Sequence, residues 1–223
     1  MVLSIHTNKP YYSINSLLIG FSFALALTGC ASIDRGMMSV SDTVSSRDPV
    51  TGQRQINLDS EEQEIRKAED ITKQLLLEAK QKDVKIDGET LYYERVARVF
   101  NRLKQVVHRK HLSWEVHVLE SSDWNAFTIG GGKVFVLTGI FQTEIGLKDD
   151  NELAAVLAHE MAHVAARHAS EKGGKLTVAK LTDKKLRKQH SFEASFTANQ
   201  EDEADKYSAL YMALAGYEPS AGV

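Results

Sequence analysis

The sequence predicts an α+β fold, mostly helical, with a small β-sheet placed ahead of the principal helix. Three observations carry that reading. Apolar residues recur at helical spacing in several capped segments, while period-two alternation is confined to a short central stretch. The composition, 43% hydrophobic and 26% charged, is that of a globular chain rather than a disordered or coiled-coil one. The 223 residues suit one domain with appended segments. Lys and Arg number 27 against 30 Asp and Glu, a net charge of -3, which excludes a dedicated nucleic-acid binder. One cysteine excludes an internal disulfide framework and any multi-cysteine metal site, leaving 8 histidines as the pool of metal ligands.

Residues 1–30 are set apart as an export signal. Lys9 precedes an apolar run from Leu17 to Leu27, too short to span a bilayer, which needs about 20 apolar residues. The run closes on Leu27-Thr28-Gly29-Cys30, which resembles the lipobox of bacterial lipoproteins. That resemblance implies acylation of Cys30 and its exposure as the new N-terminus. Ala31 follows, not Asp, and by the enterobacterial sorting rule this implies an outer-membrane lipoprotein facing the periplasm of the bacterial cell envelope. Acyl chains anchor at about 0.8 kcal/mol per buried methylene.

Residues 31–58 read as a flexible tether, rich in Ser, Asp, Gly and Thr, with a turn at Asp48-Pro49-Val50-Thr51-Gly52. The folded domain is expected over 59–223. Ser60-Glu61-Glu62-Gln63 has capping-box spacing and opens a helix to about Lys82, with Ile65, Ala68, Ile71, Leu75 and Ala79 on one face. A second helix after Asp87-Gly88 would bury Leu91, Val96, Val99, Phe100, Leu103 and Val106. The charges on both helices read as solvated faces.

Trp114, Val116 and Val118 alternate with Glu115, His117 and Leu119, a half-buried strand whose His117 falls on the polar side, as a surface histidine. Gly130-Gly131-Gly132 lacks the Gly-Lys-Ser/Thr of a phosphate loop and reads as a bend or hairpin before a strand from Lys133 to Leu137.

Asp149-Asp150-Asn151 caps a buried helix expected to run to about Ser170. It carries His159-Glu160-Met161-Ala162-His163. Histidines at i and i+4 project from one helix face and can share one ion, leaving Glu160 free to act on a proton. Zinc wants a third protein ligand and an open position. A histidine six residues after His163 is absent, since Ala169 stands there. His168, rotated by about 100° from it on a helix, is rejected. In Glu201-Asp202-Glu203-Ala204-Asp205, Glu201 and Asp205 share a face. Glu201 then ligates, and Asp205 accepts a hydrogen bond from a ligating histidine. Glu203 points elsewhere and is the weaker candidate, while Ala204, Ser208 and Met212 can pack against the histidine-bearing helix.

These motifs resemble the gluzincin metallopeptidases grouped with the CAAX prenyl protease, HtpX and Oma1. With the lipobox, Asp123-Trp124-Asn125-Ala126-Phe127, the glycine bend and Val136-Leu137-Thr138-Gly139, the likeness is nearest to the LoiP/BepA-type periplasmic lipoprotein proteases. The resemblance covers about residues 60 to 219. It implies a zincin-like domain with its small sheet packed on the HExxH helix and one Zn2+ per chain. The implied ligands are His159, His163 and Glu201, with Glu160 as general base. It also implies an edge strand beside the metal that pairs with extended substrate, here Asn125, Phe127, Gly131 and Val134. The implied substrates are misfolded or stalled envelope proteins, and the implied partners are outer-membrane assembly machinery or a related protease, with no nucleic acid. His190, Tyr207 and Tyr211 are candidate oxyanion donors.

Two departures stand out. The family usually continues past the glutamate helix with further helices and a His-Pro segment, whereas this chain stops at Val223, as a truncated or minimal form would. The stretch between His163 and Glu201 is also shorter, and basic, with Lys172, Lys175, Lys180, Lys184, Lys185, Arg187 and Lys188. The expected activity is metalloendopeptidase. The alternative is a non-catalytic zinc-binding lipoprotein that acts as chaperone or scaffold in envelope assembly.

Overall fold

The computed structural model describes residues 45–47, 52, 54–56, 59–142, 146–172 and 196–222. Residues 1–44, with Cys30, lie outside the described residues. Among the described residues no helix is long and apolar enough to cross a membrane.

The segment expected as a tether carries two paired strands. β1 (Ser45–Arg47) pairs antiparallel with β2 (Arg54–Ile56), Ser46 opposite Gln55. Helix α1 (Glu61–Gln81) starts at Ser60, whose hydroxyl accepts from Gln63 N–H while the Gln63 side chain returns to Ser60 N–H, the capping box the sequence spells. Ala68, Leu75 and Ala79 are buried on it, but so are Glu64 and Thr72.

A short 3-10 turn (Asp87–Glu89) leads to α2 (Tyr93–Leu103), which buries Val96, Val99, Phe100 and Leu103. Leu91, expected on that apolar side, precedes the helix and is 88% exposed. The helix begins two residues too late to turn it inward.

Strands β3 (Glu115–Leu119), β4 (Ala126–Gly130) and β5 (Lys133–Leu137) form one sheet in the order β3-β5-β4. β4 and β5 are an antiparallel hairpin across the glycine run, while β3 runs parallel to β5. The sheet is covered on both faces. Phe127, Ile129, Phe135, Leu137 and Leu119 face the buried stripe of α1. Val118, Val134 and Val136 face a larger core with α2 and the histidine-bearing helix. At the hairpin turn Gly131 has φ +57, and a Cβ there would stand 2.6 Å from the Ala68 Cβ, so the turn can lie against α1 only without a side chain.

Asp87, at φ +52, caps the free edge of β3. One of its oxygens accepts from Val118 N–H at 2.8 Å and the other lies 3.0 Å from His117 Nδ1. His117 is therefore 14% exposed rather than a surface residue, because a carboxylate from a separate turn receives it.

Helix α3 (Asp150–Ala165) is capped by Asp149, whose carboxylate accepts from Asn151 and Glu152 N–H. Arg95 and Arg98 of α2 both bond Asp150, holding the two helices together at that end and its carboxyl below the usual range. α3 ends sooner than expected. After Ala166 the backbone turns at Arg167, φ +61, into the short α4 (His168–Lys172). Helix α5 (Ala198–Leu214) has its own capping box at Thr197 and packs along α3. Buried Ala204, Ser208, Tyr211 and Met212 line the α5 side, and Ala155, Ala158 and Ala162 are buried on α3. Small residues on both let the backbones approach.

Candidate metal centre

The α3–α5 contact brings three potential ligand atoms to one point. His159 Nε2 and His163 Nε2 lie 2.9 Å apart, and Glu201 Oε2 is 3.2 Å from the first and 3.4 Å from the second. Helical spacing sets the histidine pair. The Thr197 cap places Glu201 in the first turn of α5, where a carboxylate also suits the helix dipole. Tetrahedral zinc with ligands at about 2.0–2.1 Å requires ligand atoms roughly 3.3 Å apart. Two imidazole nitrogens and one carboxylate oxygen are a donor set zinc accepts, so these residues fit that ion.

The outer nitrogens of both rings are also engaged. His159 Nδ1 lies 2.9 Å from Asp205 Oδ1. His163 Nδ1 lies 2.8 Å from His168 Nδ1, and His168 Nε2 lies 3.4 Å from Glu203 Oε2. The Phe196 ring stacks on His163, centroids 3.9 Å apart. The sequence reading set His168 and Glu203 aside as ligands, and neither belongs to the ligand triangle; what it did not foresee is that both line up behind His163. That arrangement depends on the turn at Arg167, which brings His168 back to His163. The one clue in the sequence is a second histidine five residues after His163, out of helical phase.

Glu160 sits beside this cluster and accepts a hydrogen bond from Thr128 N–H of β4. Burial first, and the Glu201 carboxylate second, push its carboxyl up to about 8, against that hydrogen bond. The like charge of Glu201 bears on Glu160, which suits a site that takes a cation.

The structure redraws the expected substrate strand. Val134 lies on the central strand, buried between β3 and β4, so no peptide can pair with it. Gly131 is buried in the turn, with its N–H given to Glu64. Phe127 is a core residue stacked on Phe135. The carbonyl of Asn125 accepts from Leu137 N–H, so it faces β5. Alternation then turns the backbone groups of Ala126 and Thr128 to the outer edge, as the bond from Thr128 N–H to Glu160 requires. Ala126 and Thr128 thus carry the outward backbone groups of β4, and the Thr128 N–H is taken by Glu160.

Tyr211 is fully buried with its hydroxyl 2.7 Å from His108 Nδ1, which removes it as an oxyanion donor. Tyr207 packs against His108 and Tyr211. His190 and the basic residues from Lys175 to Lys188 lie outside the described residues.

Residues 91–182 match the sequence profile of peptidase family M48. The chain is 40% identical over 124 residues to the mitochondrial metalloendopeptidase OMA1 of Schizosaccharomyces pombe, a match covering 56% of this chain and 35% of that protein. It is 24% identical over 226 residues to the metalloprotease LoiP of Escherichia coli, covering 93% of this chain and 82% of LoiP. It is 31% identical over 78 residues to the Escherichia coli metalloprotease YcaL, covering 35% and 28%. This chain thus spans about a third of the OMA1 protein's length.

Proposed function

We propose that this chain, which carries a peptidase family M48 domain over residues 91–182, is a zinc metalloendopeptidase anchored in the bacterial envelope that hydrolyses misfolded or stalled envelope proteins. The observation that carries the reading is the triangle of His159, His163 and Glu201 with Glu160 beside it. When bound, zinc supplies Lewis-acid polarisation of a peptide carbonyl and of water. His159, His163 and Glu201 would hold it. A structural metal site needs no further carboxylate at its side, whereas hydrolysis needs a group that takes a proton from the attacking water and returns it to the leaving amine. Glu160 is placed for that, its carboxylate steadied by Thr128 N–H. The outward N–H and carbonyl of Ala126, one residue before the strand position that holds the base, offer an extended peptide backbone pairing. Backbone pairing reads no side chain, which suits unfolded substrates.

The test is casein cleavage by the full-length protein. Cleavage should disappear with 1,10-phenanthroline and return with one equivalent of zinc. Zinc-loaded protein that leaves casein intact overturns the reading.

Anchoring rests on Leu27-Thr28-Gly29-Cys30. Cys30→Ala should abolish palmitate labelling and release the protein from the membrane fraction. A variant that stays membrane-bound and labelled overturns the lipoprotein assignment.

A further inference from the structure

We propose that His168 and Glu203 form a positioning relay that sets the tautomer and orientation of His163 for the metal. The inference rests on the zinc reading above and adds two residues to it.

His163 is 1% exposed and His168 is wholly buried, and their Nδ1 atoms are 2.8 Å apart. Two ring nitrogens at that distance share one proton. For Nε2 of His163 to keep a lone pair directed at Glu201 and His159, its proton must sit on Nδ1. That N–H then donates to His168 Nδ1. His168 must in turn carry its own proton on Nε2, which faces Glu203 Oε2 at 3.4 Å. One assignment gives each ring nitrogen of the relay a partner, and it ends on a carboxylate.

Three of the four acidic residues at the start of α5 thereby divide the cluster between them. Glu201 meets both Nε2 atoms, Asp205 meets the outer nitrogen of His159, and Glu203 serves the outer nitrogen of His163 through a second imidazole. The difference follows from placement. Successive helix residues turn by about 100°, so Glu203 leaves α5 on another side than Glu201 and Asp205. His168 bridges the remaining distance. It reaches that position because α3 breaks at Arg167. Phe196, stacked on the face of the His163 ring, leaves it little room to rotate away from this bond.

The test is zinc affinity of the full-length protein, measured by competition with a chromophoric chelator, beside thermal melts of the metal-free proteins. His168→Phe keeps a ring but removes the acceptor, and zinc affinity should fall about 10–100-fold. His168→Asn puts an amide oxygen near the place of Nδ1 and should recover most of that loss. A merely structural role would lower the metal-free melt of both variants without separating their affinities. His168→Phe binding zinc as tightly as the wild type overturns the relay. If that variant does not fold, Glu203→Gln decides: weaker zinc binding supports the relay, unchanged binding overturns it. Failure of the wild type to bind zinc, or His163→Ala binding it equally well, would overturn the peptidase reading itself.

Discussion

Glu160→Gln should lower kcat/KM for a peptide substrate by about 10²–10⁴-fold while leaving zinc content unchanged. Glutamine is nearly isosteric, and its amide oxygen can still accept from Thr128 N–H, so the side chain keeps its place. What it loses is the ability to take up and return a proton. The three ligand atoms are on His159, His163 and Glu201, so the metal should stay bound. Zinc content by mass spectrometry and cleavage of a fluorogenic peptide, measured on the same preparations, separate the possibilities. A loss under tenfold would show that the proton goes elsewhere. Loss of zinc would make Glu160 a ligand. Wild type and variant both loaded with zinc and both inert would favour the non-catalytic scaffold.

The second large effect concerns a residue far from the chemistry. Glu64→Ala should destabilise the fold by about 3–5 kcal/mol in urea denaturation, because it removes the buried carboxylate from Arg167 and leaves Arg109 with the more exposed Glu61 at 3.5 Å. Glu64 is 4% exposed and receives four donors: Arg109 at 2.9 and 3.1 Å, Arg167 Nε at 2.8 Å and Gly131 N–H at 3.1 Å. Arg109 also donates to Val164 O, and Arg167 to Asp59 O. One carboxylate thus ties α1 to the glycine turn and to the end of α3, the helix bearing both histidines. A cost under about 1 kcal/mol, as for a surface pair, would refute this role.

The same site makes a pH prediction. Burial raises the Glu64 carboxyl, but the Arg109 hydrogen bonds and charge, Gly131 N–H and Arg167 outweigh it and hold the pKa below the usual value. A depressed carboxyl contributes stability above the unfolded value of about 4.3, and that contribution is lost as pH falls through the folded pKa. Acid should therefore cost the wild type more stability than it costs Glu64→Gln. Equal slopes would contradict the assignment.

Much of the fold was legible because it is local. The capping box at Ser60, the cap at Asp149 and the spacing of Ala68, Leu75 and Ala79 each lie within a few turns of one helix, and the structure has them as read. The glycine hairpin was equally visible. The site was legible to the same depth: His159 with His163, and Glu201 with Asp205, are each an i,i+4 pair. The reading erred where a residue's setting comes from a distant segment. Glu64 looked like one more solvated charge, since its partners Arg109 and Arg167 are 45 and 103 positions away. Val134 looked like an edge because nothing in its neighbourhood says that β3 would pair on its far side.

Helix periodicity and capping are short-range, so the sequence by itself determined which side chains share a face and hence which ligands could be offered. Which faces meet depends on packing summed over the whole chain. Only the tertiary structure decided that Glu201 reaches both histidines, that β4 rather than β5 is the free edge, and that the turn at Arg167 returns His168 to His163.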